Sequence, residues 1–192
     1  MKYLIVYAHP NPKSFNAAIR SMIEERLKAE GADVAIRDLY VIKFDPILKG
    51  DDFLLMKDGK ASSDVQIEQR YIKESDVIVF IHPIWWFNMP AILKGYIDRV
   101  FIHGFAYAAT SNGIEGLLKD KKVMIFNTTG GPLENYRDNG YGAAVTKTIE
   151  DGIYRFSGMS IFSHKFFYGV PSVTDRERSE MLAELKSVKL PA

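Results

Sequence analysis

Three short segments of the chain carry residues that could do chemistry, and none of them is an acid–base or metal constellation. The first is His9-Pro10-Asn11-Pro12-Lys13-Ser14-Phe15-Asn16. It sets Lys13, Ser14 and Asn16 at what reads as a helix start. Backbone N–H groups there point outward and the helix dipole favours an anion, which suits a phosphate or diphosphate; a plain N-cap reads the same way. The second is Pro83-Ile84-Trp85-Trp86-Phe87-Asn88-Met89-Pro90. Neighbouring side chains diverge in any backbone geometry, so three consecutive aromatics cannot all face one core. At least one ring lines a cleft or an interface, and flat walls suit a flat heteroaromatic ligand. A packing corner or subunit contact is the alternative. The third is Thr128-Thr129-Gly130-Gly131, followed by Pro132 and Tyr136. Its glycines permit close backbone approach and its threonines offer hydroxyls, as a simple turn also would.

The elements that must position these segments are legible as apolar runs. Lys2 to Ala8 reads as a strand buried on both faces. It stops at two prolines, which force a loop. Phe15, Ile19, Met22, Ile23 and Leu27 recur at helical spacing, with Ser14 as N-cap and Gly31 as the stop. Further strands are expected at Asp33 to Leu39, Asp76 to His82, Lys121 to Asn127 and within Met159 to Val170. Helices are expected from Ser63, opened by a Ser-Asp-Val-Gln capping box, and over Ala91 to Phe101, Tyr141 to Ser157 and Thr174 to Leu185. Tyr40 to Ala61 reads as an irregular surface excursion, the kind of stretch that carries a function or meets a partner.

Alternating strands and helices argue for a parallel sheet covered on both faces. Five strands fit a flavodoxin-like doubly wound α/β sheet of order 2-1-3-4-5, one domain over residues 1–192. Ligands of such sheets bind outside the carboxyl ends of the strands, which is where all three segments fall. An anion seat at one end and an aromatic slot at the other describe the shape of a flavin.

Composition narrows the classes. There is no cysteine, so disulfides, thiolate metal sites and a cysteine nucleophile are excluded. Lys plus Arg is 25 against 24 for Asp plus Glu, a net +1, which gives no electrostatic reason to expect nucleic acid or an anionic membrane. No apolar run reaches the roughly 18 residues of a membrane span, and the N-terminus lacks the pattern of a signal peptide, so a cytoplasmic location is expected.

The segments at His9 to Asn16, Pro83 to Phe101 (PIWWFNMPAILKGYIDRVF), Gly104 to Tyr107 and Thr128 to Gly131 resemble the NAD(P)H:quinone oxidoreductases of the DT-diaphorase type. The likeness runs over roughly residues 2–170. It implies a homodimer with active sites at the subunit boundary and a tightly held flavin. That flavin is FAD, with FMN as the alternative because little chain follows the last helix to cover an adenine. It also implies two-electron transfer from NAD(P)H to a quinone by a ping-pong route. By resemblance His9, Ser14, Phe15 and Asn16 hold the phosphates. Pro83, Ile84, Trp86 and Phe87 bracket the ring system, with Trp85 beside them. Thr128, Thr129, Gly130 and Gly131 meet the ring edge and ribityl chain. Tyr136 reaches the N1/O2 side, Tyr107 walls the substrate pocket from the partner subunit, and Gln69 stands near the adenine end. One departure is evident: the family's histidine a few residues after that tyrosine is absent from Asn135 to Gly142.

Two other functions fit the same fold. A one-electron carrier of flavodoxin type is disfavoured by the net charge, since such carriers dock through acidic surfaces. A flavin-binding ancillary subunit of a potassium-efflux transporter would use the 40–61 excursion as its contact surface. His82 is expected to be packed or bonded to backbone. His103 and His164 are expected to lie apart from any acidic or histidine cluster, so no metal site is assigned. Asp98 and Arg99 are expected to form surface or dimer ion pairs.

Overall fold

The computed structural model describes residues 1–191. Five strands form one parallel sheet: β1 (Lys2–Tyr7), β2 (Asp33–Asp38), β3 (Val77–Ile84), β6 (Lys122–Thr129) and β7 (Ser160–Phe167), in the order β2-β1-β3-β6-β7. This is the expected 2-1-3-4-5 topology. A separate antiparallel hairpin, β4 (Tyr107–Thr110) with β5 (Gly113–Gly116), lies outside the sheet. Its half-exposed residues carry no apolar alternation, and the sequence pattern did not show it.

Helices cover both faces: α1 (Phe15–Ala29), α2 (Gly50–Lys57), α3 (Ser63–Glu74), α4 (Ala91–Val100), α5 (Leu133–Arg137), α6 (Tyr141–Thr146) and α7 (Asp175–Ala183). A π-helix follows α6 directly, over Lys147–Arg155. The core is accordingly double. Ile5, Ile23, Val79 and Phe126 pack on the α1 side, and Leu4, Phe80, Tyr96 and Ile125 pack on the α3–α4 side. Every residue of β3 is buried, as a central parallel strand requires.

β3 and β6 outrun their expected ends. β3 continues through Pro83 to Ile84, and β6 through Thr128 to Thr129. A proline is tolerated in this central strand because β1, its neighbour on one side, has already ended at Tyr7, opposite Ile81. On the other side Pro83 pairs with Thr128 and Ile84 with Thr129. Two of the three chemically unusual segments are thereby set side by side.

The 40–61 segment is not an irregular excursion. It contains α2, and Arg99 of α4 clamps it to the body. The Arg99 guanidinium, 4% exposed, meets Asp52 at 3.2 Å, Asp64 at 2.7 Å and the Asp45 carbonyl at 2.8 Å. A surface role for Arg99 is therefore overturned, while Asp98 does make an exposed pair with Lys94. The capping box at Ser63 is not made: Ser62 takes the N-cap position, its hydroxyl accepts from Arg99 at 3.1 Å instead of from the helix, and the Gln66 side chain donates to the Ala61 carbonyl.

Candidate functional site

The loop after β1 is shaped by a chain of short polar contacts. His9 Nδ1 accepts from the Asn11 amide at 3.0 Å, and Asn11 Oδ1 accepts from the Lys13 amide at 2.9 Å. Ser14 then caps α1, its Oγ accepting from the Ala17 amide at 3.1 Å. The amides of Phe15 and Asn16 sit in the first turn, before any intrahelical acceptor is available. Buried Asn16 donates through Nδ2 to Thr128 Oγ1 at 2.7 Å, while its Oδ1 has no partner among the described residues.

The aromatic loop is a two-residue reverse turn. Trp85 and Asn88 exchange both backbone hydrogen bonds, at 2.8 and 3.0 Å. Trp86 and Phe87 between them take φ of 51° and 56°. Positive φ at both central positions defines a type I′ turn, usually built from asparagine and glycine. Two aromatic residues there store about 1–3 kcal/mol each, strain of the kind that clusters at ligand clamps. Trp86 is 97% exposed, and His9 meets Trp85 edge-on with centroids 5.8 Å apart. Phe87 stacks on Tyr141 at 4.2 Å and leans on Tyr136 at 5.5 Å.

The loop after β6 is tied to the end of β7. Thr129 Oγ1 donates to the Gly131 carbonyl at 2.7 Å, and the amides of Gly169 and Val170 bond to Gly131 and Thr129. A Cβ on Gly130 would meet open space, so its backbone is bare toward whatever enters; one on Gly131 would sit 3.1 Å from Asn135 Nδ2.

These segments enclose one cleft of about 580 Å³. Among the described residues no lysine, arginine or carboxylate lines it, so an anion there would be met by amides, hydroxyls and the α1 dipole. Burial lowers the proton affinity of His9 and raises the pKa of the Tyr136 phenol, which leaves both neutral at pH 7.

Residues 1–188 match the family described as flavodoxin-like fold. The chain belongs to this family. It is 35% identical, over all of its length and 95% of the other's, to an uncharacterized NAD(P)H oxidoreductase of Haemophilus influenzae. It is 33% identical to the ribosyldihydronicotinamide dehydrogenase [quinone] of Rattus norvegicus, covering 97% of this chain and 91% of that one. Among solved structures, the NAD(P)H:quinone oxidoreductase from Methanothermobacter marburgensis superposes with a TM-score of 0.88 at 26% identity, over 97% of this chain and 95% of that one. The flavodoxin-like chain thus shares one family with these oxidoreductases.

The cleft of this flavodoxin-like protein gathers most of the expected residues. His9, Ser14, Phe15 and Asn16 line one end. Pro83, Ile84, Trp85, Trp86 and Phe87 form the aromatic side. Thr128, Thr129, Gly130, Gly131 and Tyr136 complete it. Two residues lie elsewhere. Gln69, on α3, donates its amide to the Val100 carbonyl at 3.1 Å and does not line the cleft. Tyr107, on β4, borders a separate hollow of about 250 Å³ with Phe101 and Phe156. Asn11, Val170 and Pro171 also line the cleft and were not foreseen. The signal for the last two was available: they follow the fifth strand on the same carboxyl edge.

His164, expected to lie apart from any acidic or histidine cluster, meets one carboxylate. Its Nδ1 lies 2.9 Å from Glu150 Oε1 and its Nε2 lies 2.7 Å from Asn127 Oδ1. His82 behaves as expected, bonded through Nδ1 to the Pro83 carbonyl at 2.9 Å. Complete burial pushes its pKa down to about 4.

Proposed function

We propose that the chain is a flavin-dependent NAD(P)H:quinone oxidoreductase. The observation that carries this reading is the single cleft in which an anion seat at the α1 N-terminus faces an aromatic side and a bare glycine backbone. The donor set fits a flavin. Asn16 Oδ1, buried and unpartnered, is free to accept from a bound hydroxyl, and the Phe15 and Asn16 amides suit a phosphate. Trp85, Trp86 and Phe87 supply flat apolar walls for a ring system. When bound, a flavin supplies two-electron exchange between a reduced nicotinamide and a quinone.

The residues of the chain then bind and orient. The first turn of α1 holds the phosphate, and Gly130 and Gly131 let the backbone approach the ring edge. The strained Trp86-Phe87 turn projects rings against which planar substrates stack. Tyr136, a neutral phenol whose pKa burial raises further, would offer a hydrogen bond to the polar edge of a bound flavin ring. Hydride transfer needs close stacking rather than a side-chain base, in keeping with a cleft lined by no lysine, arginine or carboxylate among the described residues.

The reading includes FAD, with FMN as the alternative; the lining residues account for the portion the two share. It also includes a homodimer in which Tyr107 closes the partner's cleft. Support for the dimer comes from the position of Tyr107 outside its own cleft, on a hollow beside exposed Phe156.

The test is direct. The purified chain is expected to be yellow, to bleach with NADPH in the absence of air, and to regain colour with a quinone. Heat release followed by mass measurement identifies the flavin, and light scattering reads the assembly. A colourless preparation that takes up neither FMN nor FAD would end the reading. A stable blue semiquinone on titration would favour the one-electron carrier instead.

A further inference from the structure

Beneath the cleft runs a chain of polar side chains, buried at His82 on β3 and Asn127 on β6 and half-buried at His164 on β7 and Glu150 on the π-helix. Its proton order follows from its fixed ends. The Pro83 carbonyl can only accept, so His82 carries its hydrogen on Nδ1 and its Nε2 is an acceptor. Asn127 Nδ2 lies 3.1 Å from that Nε2 and 3.1 Å from the His82 carbonyl, so it donates to both. Turning the amide over would set Oδ1 against two acceptors, which fixes its orientation. Asn127 Oδ1 therefore faces His164, whose Nε2 must donate across 2.7 Å. The remaining contact, His164 Nδ1 to Glu150 Oε1 at 2.9 Å, joins two atoms that both accept unless one proton lies between them. Glu150 Oε2 in turn meets Arg155 at 2.8 Å, five residues on across the π turn, and Arg155 also pairs with Asp151. His164 reaches the cleft by rings as well. It stacks on Phe166 at 4.3 Å, Phe166 on Tyr168 at 5.6 Å, and Tyr168 touches cleft-lining Tyr136 at 5.5 Å.

We propose that His164 is a positioning residue for the cleft. Its Nε2–H sets the direction of the Asn127–His82 chain that ends on the Pro83 carbonyl, and its contact with Glu150 stores the one proton that this direction requires. Pro83 and Thr128 are the residues next along the chain from His82 and Asn127, and they pair with each other where two cleft walls begin. The chain's reversal or loss would free both walls at once.

The proton order stands without the flavin reading; only the effect on binding rests on it. The chain has four histidines, few enough to assign by ¹⁵N-histidine NMR of the purified protein. At pH 7 His82 is expected as the neutral Nδ1–H form and His164 with hydrogen on Nε2. His164→Phe is expected to move the His82 signals and to weaken FMN binding to the flavin-stripped protein by about three- to tenfold, the worth of one buried hydrogen bond. His164→Gln, which still offers an N–H to Asn127, is expected to restore both. Should His164→Phe fail to fold, Glu150→Gln serves: its amide donates to His164 Nδ1 and so keeps hydrogen on Nε2, whereas Glu150→Ala does not. A His82 ring carrying its hydrogen on Nε2 overturns the proposal. So do wild-type His82 signals in both His164 variants. A wild-type protein that shows the proton order yet takes up neither FMN nor FAD retires the flavin reading and leaves the order standing.

Discussion

Asn16 and Thr128 stand 112 positions apart in sequence, and their side chains meet at 2.7 Å. The contact pins the first turn of α1 to the end of β6, so the anion seat and the threonine loop move as one body. Asn16→Ala is expected to weaken FMN binding about fivefold to tenfold and to lower stability by only about 1 kcal/mol, the worth of one side-chain hydrogen bond. Fluorescence titration and urea unfolding read the two effects separately. Unchanged affinity would remove Asn16 from the binding set.

The Trp86-Phe87 turn makes a prediction with opposite signs for stability and binding. Trp86 packs on almost nothing, being 97% exposed, and holds φ at 51°. Trp86→Gly removes the strain, and the expected gain in stability is about 1 kcal/mol. The same substitution removes a wall of the cleft, so flavin affinity or the rate of reduction by NADPH is expected to fall. A variant that melts lower than the parent contradicts the strain assignment, and one with full turnover contradicts the role of the ring.

Arg99 is the anchor of residues 45–64. Arg99→Met leaves Asp52 buried without its cation, and a loss of about 3–5 kcal/mol is expected. Limited proteolysis is expected to cut first between residues 45 and 64, and thermal melting with cleavage mapping tests both points. Because Arg99 also holds the Asp52 and Asp64 carboxyls below the usual range, part of this stability is lost as pH falls through their lowered values.

His82 sets a second pH window. Its folded pKa of about 4 lies below the ordinary 6.5, so the unfolded chain binds more protons between those values. Stability is therefore expected to fall as pH drops from 6.5 toward 4, by on the order of 3 kcal/mol, and to gain nothing above 6.5. His9, lowered by burial, acts in the same direction. Urea unfolding across this range checks the slope, and His82→Gln is expected to flatten it. A slope that survives the substitution assigns the effect to other groups.

The sheet order and three cleft segments were legible because buried parallel strands read as unbroken apolar runs and because the ends of such strands are the known binding edge. Ser14 was recognisable as a cap from its place one residue before the α1 stripe, and it does cap Ala17. Other features were not readable because they depend on distance in space. Arg99 looks like any exposed helix cation until Asp45, Asp52 and Asp64 fold over it. His164 and Glu150 meet Asn127 through separations that no local pattern records. Gln69 was placed by kinship alone, and no local pattern records that its amide donates to the Val100 carbonyl.

The bend at Trp86 and Phe87 is drawn by main-chain bonds between Trp85 and Asn88, not by the rings it displays. Either ring can be traded for another without redrawing the peptide path. Two codons, rather than a rebuilt loop, suffice to retune this surface to flat molecules of different breadth, and a small library at those positions is the economical way to alter what it accepts.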